Sequence, residues 1–320
     1  MIITDIDHID TQSWERLLAV SPVASWFQSR EAYLFFASLE TMMTPFVVAV
    51  SRDGCELKGV VVGYVTRETN PLKHFFTRRA IIYGGPLLAS DITDEELESL
   101  LSTMLHSLSR KAIYVETRNF ADYSRYRHVF LRVGMAYRAH YDMFIDCEDR
   151  ELMLSRITES KRRQIRKMRD EGVEVVEAQS KQDILAFFGL LQVLYRRKVH
   201  RPLFGLDFFT TFVARGCGVL LLVKKSDEVI GGMLCPLLRG RVVYEWYVVG
   251  PAYVTWAAMD YANSHGFKLF DLMGAGVPGE PYGVRDFKLQ FGGTLKEYGR
   301  YLHIQSPLLH SIGKMAISLR

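Results

Sequence analysis

The residues best suited to chemistry stand in one stretch, 268–293, which reads KLFDLMGAGVPGEPYGVRDFKLQFGG. Asp271 closes a short apolar strand. A glycine- and proline-rich loop follows, then a short amphipathic turn carrying Arg285, Asp286 and Lys288, then Phe291-Gly292-Gly293. A strand running into such a loop sets backbone N–H groups and a few polar side chains at one sheet edge, where many α/β proteins bind ligands. A lysine on the helix after the loop can stabilise charge on a reacting carbonyl or phosphate. The plain alternative is a structural turn with a solvated lysine.

Other candidates are scattered. Glu245 interrupts an apolar strand among Tyr244, Trp246, Tyr247, Tyr253 and Trp256; a carboxylate there is either paired or at the mouth of a site. Strand alternation places Tyr244 and Trp246 on one sheet face and Glu245 and Tyr247 on the other. Tyr282, beside a glycine, is a packing or substrate contact. The densest charge run is Lys161, Arg162, Arg163, Arg166, Lys167 and Arg169. On a helix, Arg162, Arg166 and Arg169 share one face, and Arg163 and Lys167 another. Guanidinium forks suit phosphate oxygens, although a solvated helix face explains the run as well. Arg78-Arg79, just before a strand that leads into Gly84-Gly85-Pro86, is a second place for phosphate. No GxSxG, P-loop or HExxH motif occurs.

The elements that must position these residues follow a repeated plan. The 320 residues suffice for about two domains. With 48% hydrophobic residues and mean hydropathy of +0.02, the composition is that of a soluble globular protein. The net charge of +4 permits an anionic substrate, RNA or an acidic membrane surface without demanding any of them. Cys55, Cys147, Cys217 and Cys235 lack metal-ligand or CxxC spacing, so reduced thiols and no metal are expected. The start, MIITDIDHIDTQSW, has no signal-peptide pattern, which makes the expected location cytoplasmic.

Strands over 46–51 and 57–66 form a hairpin, as do strands over 218–224 and 228–238. Strands 79–83 and 241–249 each lead to a helix. The first of these helices starts at Thr93 with Glu96 as capping-box partner and buries Leu97, Leu100, Leu101, Met104, Leu105 and Leu108. Then come strands 112–116 and 269–272, helices 122–133 and 284–289, and closing strands 135–145 and 294–304. Between the halves, 150–171 reads as one charged helix ended by Gly172, followed by a helix over 183–198. Leu308, Ile312, Met315 and Leu319 mark a closing helix. This duplicated unit predicts a mixed α/β (α+β) fold of two tandem GNAT-like domains. Their sheets are mixed and largely antiparallel, with flanking helices. The domains are expected over 1–149 and 150–320, with the basic helix 150–172 at the junction.

On these residues the chain resembles the FemABX-type aminoacyltransferases, which have two GNAT-like domains and add amino acids to the peptide of cell-wall precursors. Four pieces carry the likeness: RAIIYGGPL (79–87), FLRVGMAYRAHYDMFI (130–145), SKRRQIRKMRDEGVEV (160–175), and FDLMGAG with DFKLQFGG (270–276 and 286–293). The last is the most specific. The resemblance implies that Lys288, the lysine of F-K-x-x-F-G-G, lies at the transfer site and stabilises the developing oxyanion. It implies no tightly bound cofactor, with aminoacyl-tRNA as the donor and acyl-CoA as the alternative. The acyl-CoA alternative lacks its usual [RQ]xxGx[GA] pyrophosphate loop; the corresponding place reads GPAYVTWAAMD. The expected acceptor is the amine of an anionic, lipid-linked or soluble peptidoglycan precursor, with tRNA and peripheral membrane contact as further partners.

The expected catalytic set is therefore Lys288 with Asp271, Asp286 or Glu245 as proton acceptor. The expected substrate-binding set is Arg285, Trp246, Tyr244, Tyr282, Arg79, Lys161, Arg163 and Lys167. A non-catalytic module holding a lipid- or nucleotide-linked sugar phosphate through Arg78, Arg79 and residues 161–169 is the competing class.

Overall fold

The computed structural model describes residues 1–54, 56–68, 75–200 and 202–318, with side chains through residue 312. Cys55 and Leu319 lie outside the described residues, as does the side chain of Met315. Two compact units emerge. The first comprises Met1–Ala139 and Tyr298–Arg320, the second His140–Glu297.

In the first unit the hairpin Met43–Arg52/Glu56–Thr66 is extended at one edge by Ile2–Ile3 and at the other by Ala80–Gly84. Tyr114–Asn119 then pairs parallel with Ala80–Gly84. The helix Asp94–Leu108 packs its apolar stripe onto one sheet face, with Leu97, Leu100, Leu101 and Met104 fully buried. Its capping box forms as expected: the Thr93 hydroxyl accepts from Glu96 N–H at 3.2 Å, and the Glu96 carboxylate accepts from Thr93 N–H at 3.0 Å. Replacing Thr93 with alanine is expected to cost about 1 kcal/mol, read as a lower midpoint in urea unfolding with an unchanged slope.

The second unit repeats this order with Gly218–Lys225, Glu228–Leu238, Val242–Tyr244 with Tyr247–Val249, the helix Tyr253–Ser264, Leu269–Gly274, the helix Gly283–Leu289 and Thr294–Glu297. Glu174–Glu177 occupies the edge that Ile2–Ile3 occupies in the first. Cys147, Cys217 and Cys235 are buried.

The structure corrects several expectations. The closing strand 135–145 is two strands: Ala136–Arg138 stays in the first sheet, whereas Tyr141–Asp146 enters the second between Leu269–Gly274 and Thr294–Glu297. Likewise 294–304 divides at Gly299 (φ +69°), and Arg300–Ile304 enters the first sheet between Tyr114–Asn119 and Ala136–Arg138. The boundary expected after residue 149 therefore falls after 139, and the chain beyond 297 returns to the first unit. Tyr301, on this returning strand, stacks on Phe130 at 3.9 Å and is 1% exposed.

The charged stretch 150–171 is two helices, Arg150–Arg156 and Glu159–Asp170, because Ile157 is extended (ψ 133°) and buried. The helix expected over 183–198 runs Lys181–Leu194 and then loosens into a π-turn, Tyr195–Val199. A further helix, Leu206–Ala214, was not foreseen. Finally, 241–249 is broken by a bulge, described below.

Candidate active site of the second unit

Strand Glu228–Leu238 pairs with both Val242–Tyr244 and Tyr247–Val249, but the register shifts by one residue between them. The extra residue is a β-bulge at Glu245-Trp246. Pro236, facing this break, has no N–H to give to the ladder. Trp246 N–H donates to Leu234 O at 3.0 Å, and Glu245 N–H donates to Asp271 O at 2.8 Å. The parallel pairing of Val242–Tyr244 with Leu269–Gly274 ends there, at Tyr244 and Asp271. Because of the bulge, Trp246 and Tyr247, expected on opposite faces, both pack against Phe208, at 5.0 and 5.6 Å. Tyr244 is 2% exposed, whereas Trp246 is half-buried against Phe208 at 5.0 Å.

A second irregularity lies opposite. Strand Leu269–Gly274 shifts register against Tyr141–Asp146 between Asp271 and Gly274. Met273 there takes a left-handed conformation (φ 57°), uncommon for a residue with a side chain. The Asp271 carboxylate supports it by accepting from Met273 N–H at 2.6 Å. The twist presents the carbonyls of Leu272 and Gly274 to Lys288.

Lys288 ties the two irregular strands together. Its ammonium donates to Leu272 O, to Gly274 O at 3.3 Å, and to the Glu245 carboxylate at 3.1 Å. An ammonium has three N–H donors, and these contacts use all three. Both side chains of the ion pair are 7% exposed. Burial pushes the Glu245 carboxyl above the ordinary glutamate range, and Lys288 pulls against that shift. Asp271, 6% exposed, is held well above the ordinary aspartate range, first by burial and next by the negative charge of Asp142. Asp142, 3% exposed on the strand Tyr141–Asp146, is a site residue that the sequence reading passed over. Its signal was the same as that of Glu245: one carboxylate inside an apolar strand.

The helix bearing Lys288 is braced by the basic segment. Thr158 N–H donates to Gln290 O at 2.9 Å. Lys161, 7% exposed, lies over the Phe287 ring at 4.4 Å and the Phe291 ring at 5.9 Å; burial holds its pKa below the ordinary lysine value. Gly292 (φ +80°) crosses the backbone at Arg156, and a Cβ there would meet Arg156 Cβ and lie 2.8 Å from Arg156 O. The two most basic-looking and most glycine-rich motifs of the sequence are thus one packed assembly around Lys288.

The other expected residues are not gathered there. Asp286 is exposed, two residues from Lys288 and so on the opposite side of the helix. Arg285 donates to the carbonyls of Ala275, Val277 and Glu280, fastening the loop before its own helix. Tyr282, 38% exposed, packs over Gly276. Arg163 and Lys167 are exposed. Arg79 lies in the first unit, half-buried beside Tyr114. Among the described residues, no group of three or more His, Cys, Asp and Glu side chains is placed to hold a metal, and no helix is long and apolar enough to cross a membrane.

Known proteins share this architecture. A family model described as an acetyltransferase (GNAT) domain matches residues 155–288. No curated protein matches the chain. Among solved structures, FemX is similar over 98% of this chain and 100% of its own, at 14% identity and TM-score 0.73. L-PGS from Bacillus licheniformis is similar over 97% of this chain and 96% of its own, at 13% identity and TM-score 0.60. A GCN5-related N-acetyltransferase from Sphaerobacter thermophilus is similar over 96% of each chain, at 12% identity and TM-score 0.50. At these identities the likeness is one of fold: the chain is a tandem GNAT-like α/β protein.

Proposed function

We propose that the protein is an acyltransferase of the aminoacyl-transferring kind, moving an amino acid from aminoacyl-tRNA to the peptide amine of a peptidoglycan precursor. The observation that carries this reading is the buried Lys288–Glu245 pair where strands Val242–Tyr244 and Leu269–Gly274 stop pairing. The match of residues 155–288 to an acetyltransferase domain supports the reaction class. The F-K-x-x-F-G-G resemblance supports the choice of donor and acceptor.

In this reading the acceptor amine attacks the ester carbonyl of the donor. The C–N bond forms as the carbonyl π bond opens, leaving a negative oxygen on the tetrahedral intermediate. Lys288 stabilises that oxygen, its long contact to Gly274 O giving way to the substrate; the ammonium keeps its proton throughout. Collapse expels the tRNA hydroxyl, which takes up the proton that the amine gave away. Asp271 serves as the acceptor and donor of that proton. Its burial beside Asp142 raises its proton affinity, whereas Glu245 is bound to Lys288 and Asp286 is exposed.

The donor preference has its own support. In the second unit the first turn of the helix after Tyr247–Val249 is closed: Tyr253, Val254, Thr255 and Trp256 are 7%, 1%, 2% and 2% exposed. Of its N–H groups, Val254 donates to Pro251 O and Trp256 to Ala252 O, which leaves fewer for a coenzyme diphosphate. The test is a transfer assay with a radiolabelled acyl group supplied as aminoacyl-tRNA or as acyl-CoA, with a nucleotide-linked peptidoglycan precursor as acceptor. The expected outcome is label on the precursor from the tRNA ester alone. Transfer from acyl-CoA at an equal or greater rate would overturn the donor assignment.

A further inference from the structure

The helix Lys181–Leu194 ends in an uncommon way. Its last turn widens into the π-turn Tyr195–Val199, and His200 then takes a left-handed conformation (φ 52°), its N–H donating to Tyr195 O at 2.9 Å. Such π-turns are rare and concentrate at functional sites. Here the reversal leaves a cavity of about 330 Å³ between the helix end and the approach to the helix Leu206–Ala214. That size stands at the lower end of the range for small-molecule sites.

The walls are mostly aromatic. Phe188 and Tyr195 come from the helix and its turn, Leu203 and Phe204 from the segment that follows, and all four are half-buried. The rings are held from behind. Phe204 stacks on Phe208 at 4.7 Å, Phe188 packs against Phe209 at 5.5 Å, and Tyr195 packs against Tyr247 at 6.4 Å. Phe208 is fully buried and itself touches Trp246 at 5.0 Å. The wall rings would lose these contacts by falling inward, so the cavity is preformed and its apolar surface faces water. The polar part of the lining is Gln192 and Arg196, both exposed and four residues apart, hence on one side of the helix. Among the described residues lining the cavity, Arg196 alone is charged, and no carboxylate stands there to match it.

We propose that this cavity binds a small aromatic carboxylate. Its ring lies among Phe188, Tyr195 and Phe204, in the offset or edge-on contacts that aromatic groups prefer. Its acid group meets the Arg196 guanidinium, whose planar fork matches a carboxylate, and the Gln192 amide donates a further hydrogen bond. An aliphatic acid lacks the ring contacts, and a cation meets Arg196 with the wrong sign. The site uses none of Lys288, Glu245 and Asp271, so it stands independently of the transfer reading.

Calorimetric titration of the full chain with 3-phenylpropionate tests the site. Propionate (acid without ring) and phenethylamine (ring with the opposite charge) are the controls. 3-Phenylpropionate is expected to bind at least about tenfold more tightly than either control. Arg196→Gln is expected to weaken it about tenfold. Gln192→Trp, which fills the space, is expected to abolish measurable binding. Both positions are exposed, so both variants are expected to give the native circular dichroism spectrum. Arg197→Gln, exposed but outside the lining, is expected to leave the affinity unchanged. Three results overturn the proposal: 3-phenylpropionate binding no tighter than propionate, binding that Arg196→Gln or Gln192→Trp leaves unchanged, or an equal loss in Arg197→Gln.

Discussion

Lys288→Met is expected to lower transfer at least about 10²-fold, the usual cost of losing an oxyanion-stabilising group in a water-poor site. It is also expected to destabilise the second unit by about 3–5 kcal/mol, because it leaves Glu245 buried without its ion-pair partner and two carbonyls without their donor. A lysine that were merely solvated would give neither effect. The stability loss has a pH signature. The folded Glu245 carboxyl binds its proton more tightly than the unfolded one. Protonation therefore favours the fold, and the deficit shrinks as pH falls from neutral through the raised value towards the ordinary glutamate range. Adding Glu245→Gln removes the unpaired charge and is expected to recover most of the stability. Urea unfolding of the single and double variants at pH 5 and pH 7.5 measures all of this. Equal stability of Lys288→Met and the native chain would show that the ion pair does not hold the strands.

Gly292→Ala carries the second large effect. A methyl group there forces a left-handed residue and presses on the backbone at Arg156, where the turn crosses the break between helices Arg150–Arg156 and Glu159–Asp170. Backbone cannot swing aside as a side-chain tip can, so strain and overpacking add to about 3 kcal/mol or more. Gly279→Ala is the matched control. Gly279 has φ +78° but no atom within 4 Å of the added Cβ, so only the conformational cost of about 1 kcal/mol applies. Thermal unfolding of the two variants separates conformation from contact. Similar losses in both would mean that the Arg156 crossing is not tight.

The repeated hairpin, strand, helix, strand, helix plan was legible because its periodicities are local. Capping at Thr93 and the apolar stripe from Leu97 to Leu108 depend on residues a few positions apart. The strand returns were not legible. Residues 135–145 and 294–304 keep strand-like composition through their breaks, and alternation does not say which sheet a strand joins. The bulge at Glu245-Trp246 was hidden for the same reason: one extra residue in a strand changes which face every later side chain takes. At the site, the sequence picked out Lys288, Glu245 and Asp271 because charge inside apolar segments is conspicuous. It grouped Lys161 with the exposed Arg163 and Lys167, since a lysine packed over Phe287 and Phe291 has the same one-letter signature as a solvated one. It passed over Asp142, whose importance comes from a strand pairing distant in sequence.

The most direct measurement is single-turnover transfer from aminoacyl-tRNA by the Lys288→Met/Glu245→Gln double variant, under conditions where unfolding curves show it folded. The account predicts a stable protein that binds the precursor and transfers at least about 10²-fold more slowly than the native chain. A folded double variant that transfers at the native rate would contradict it.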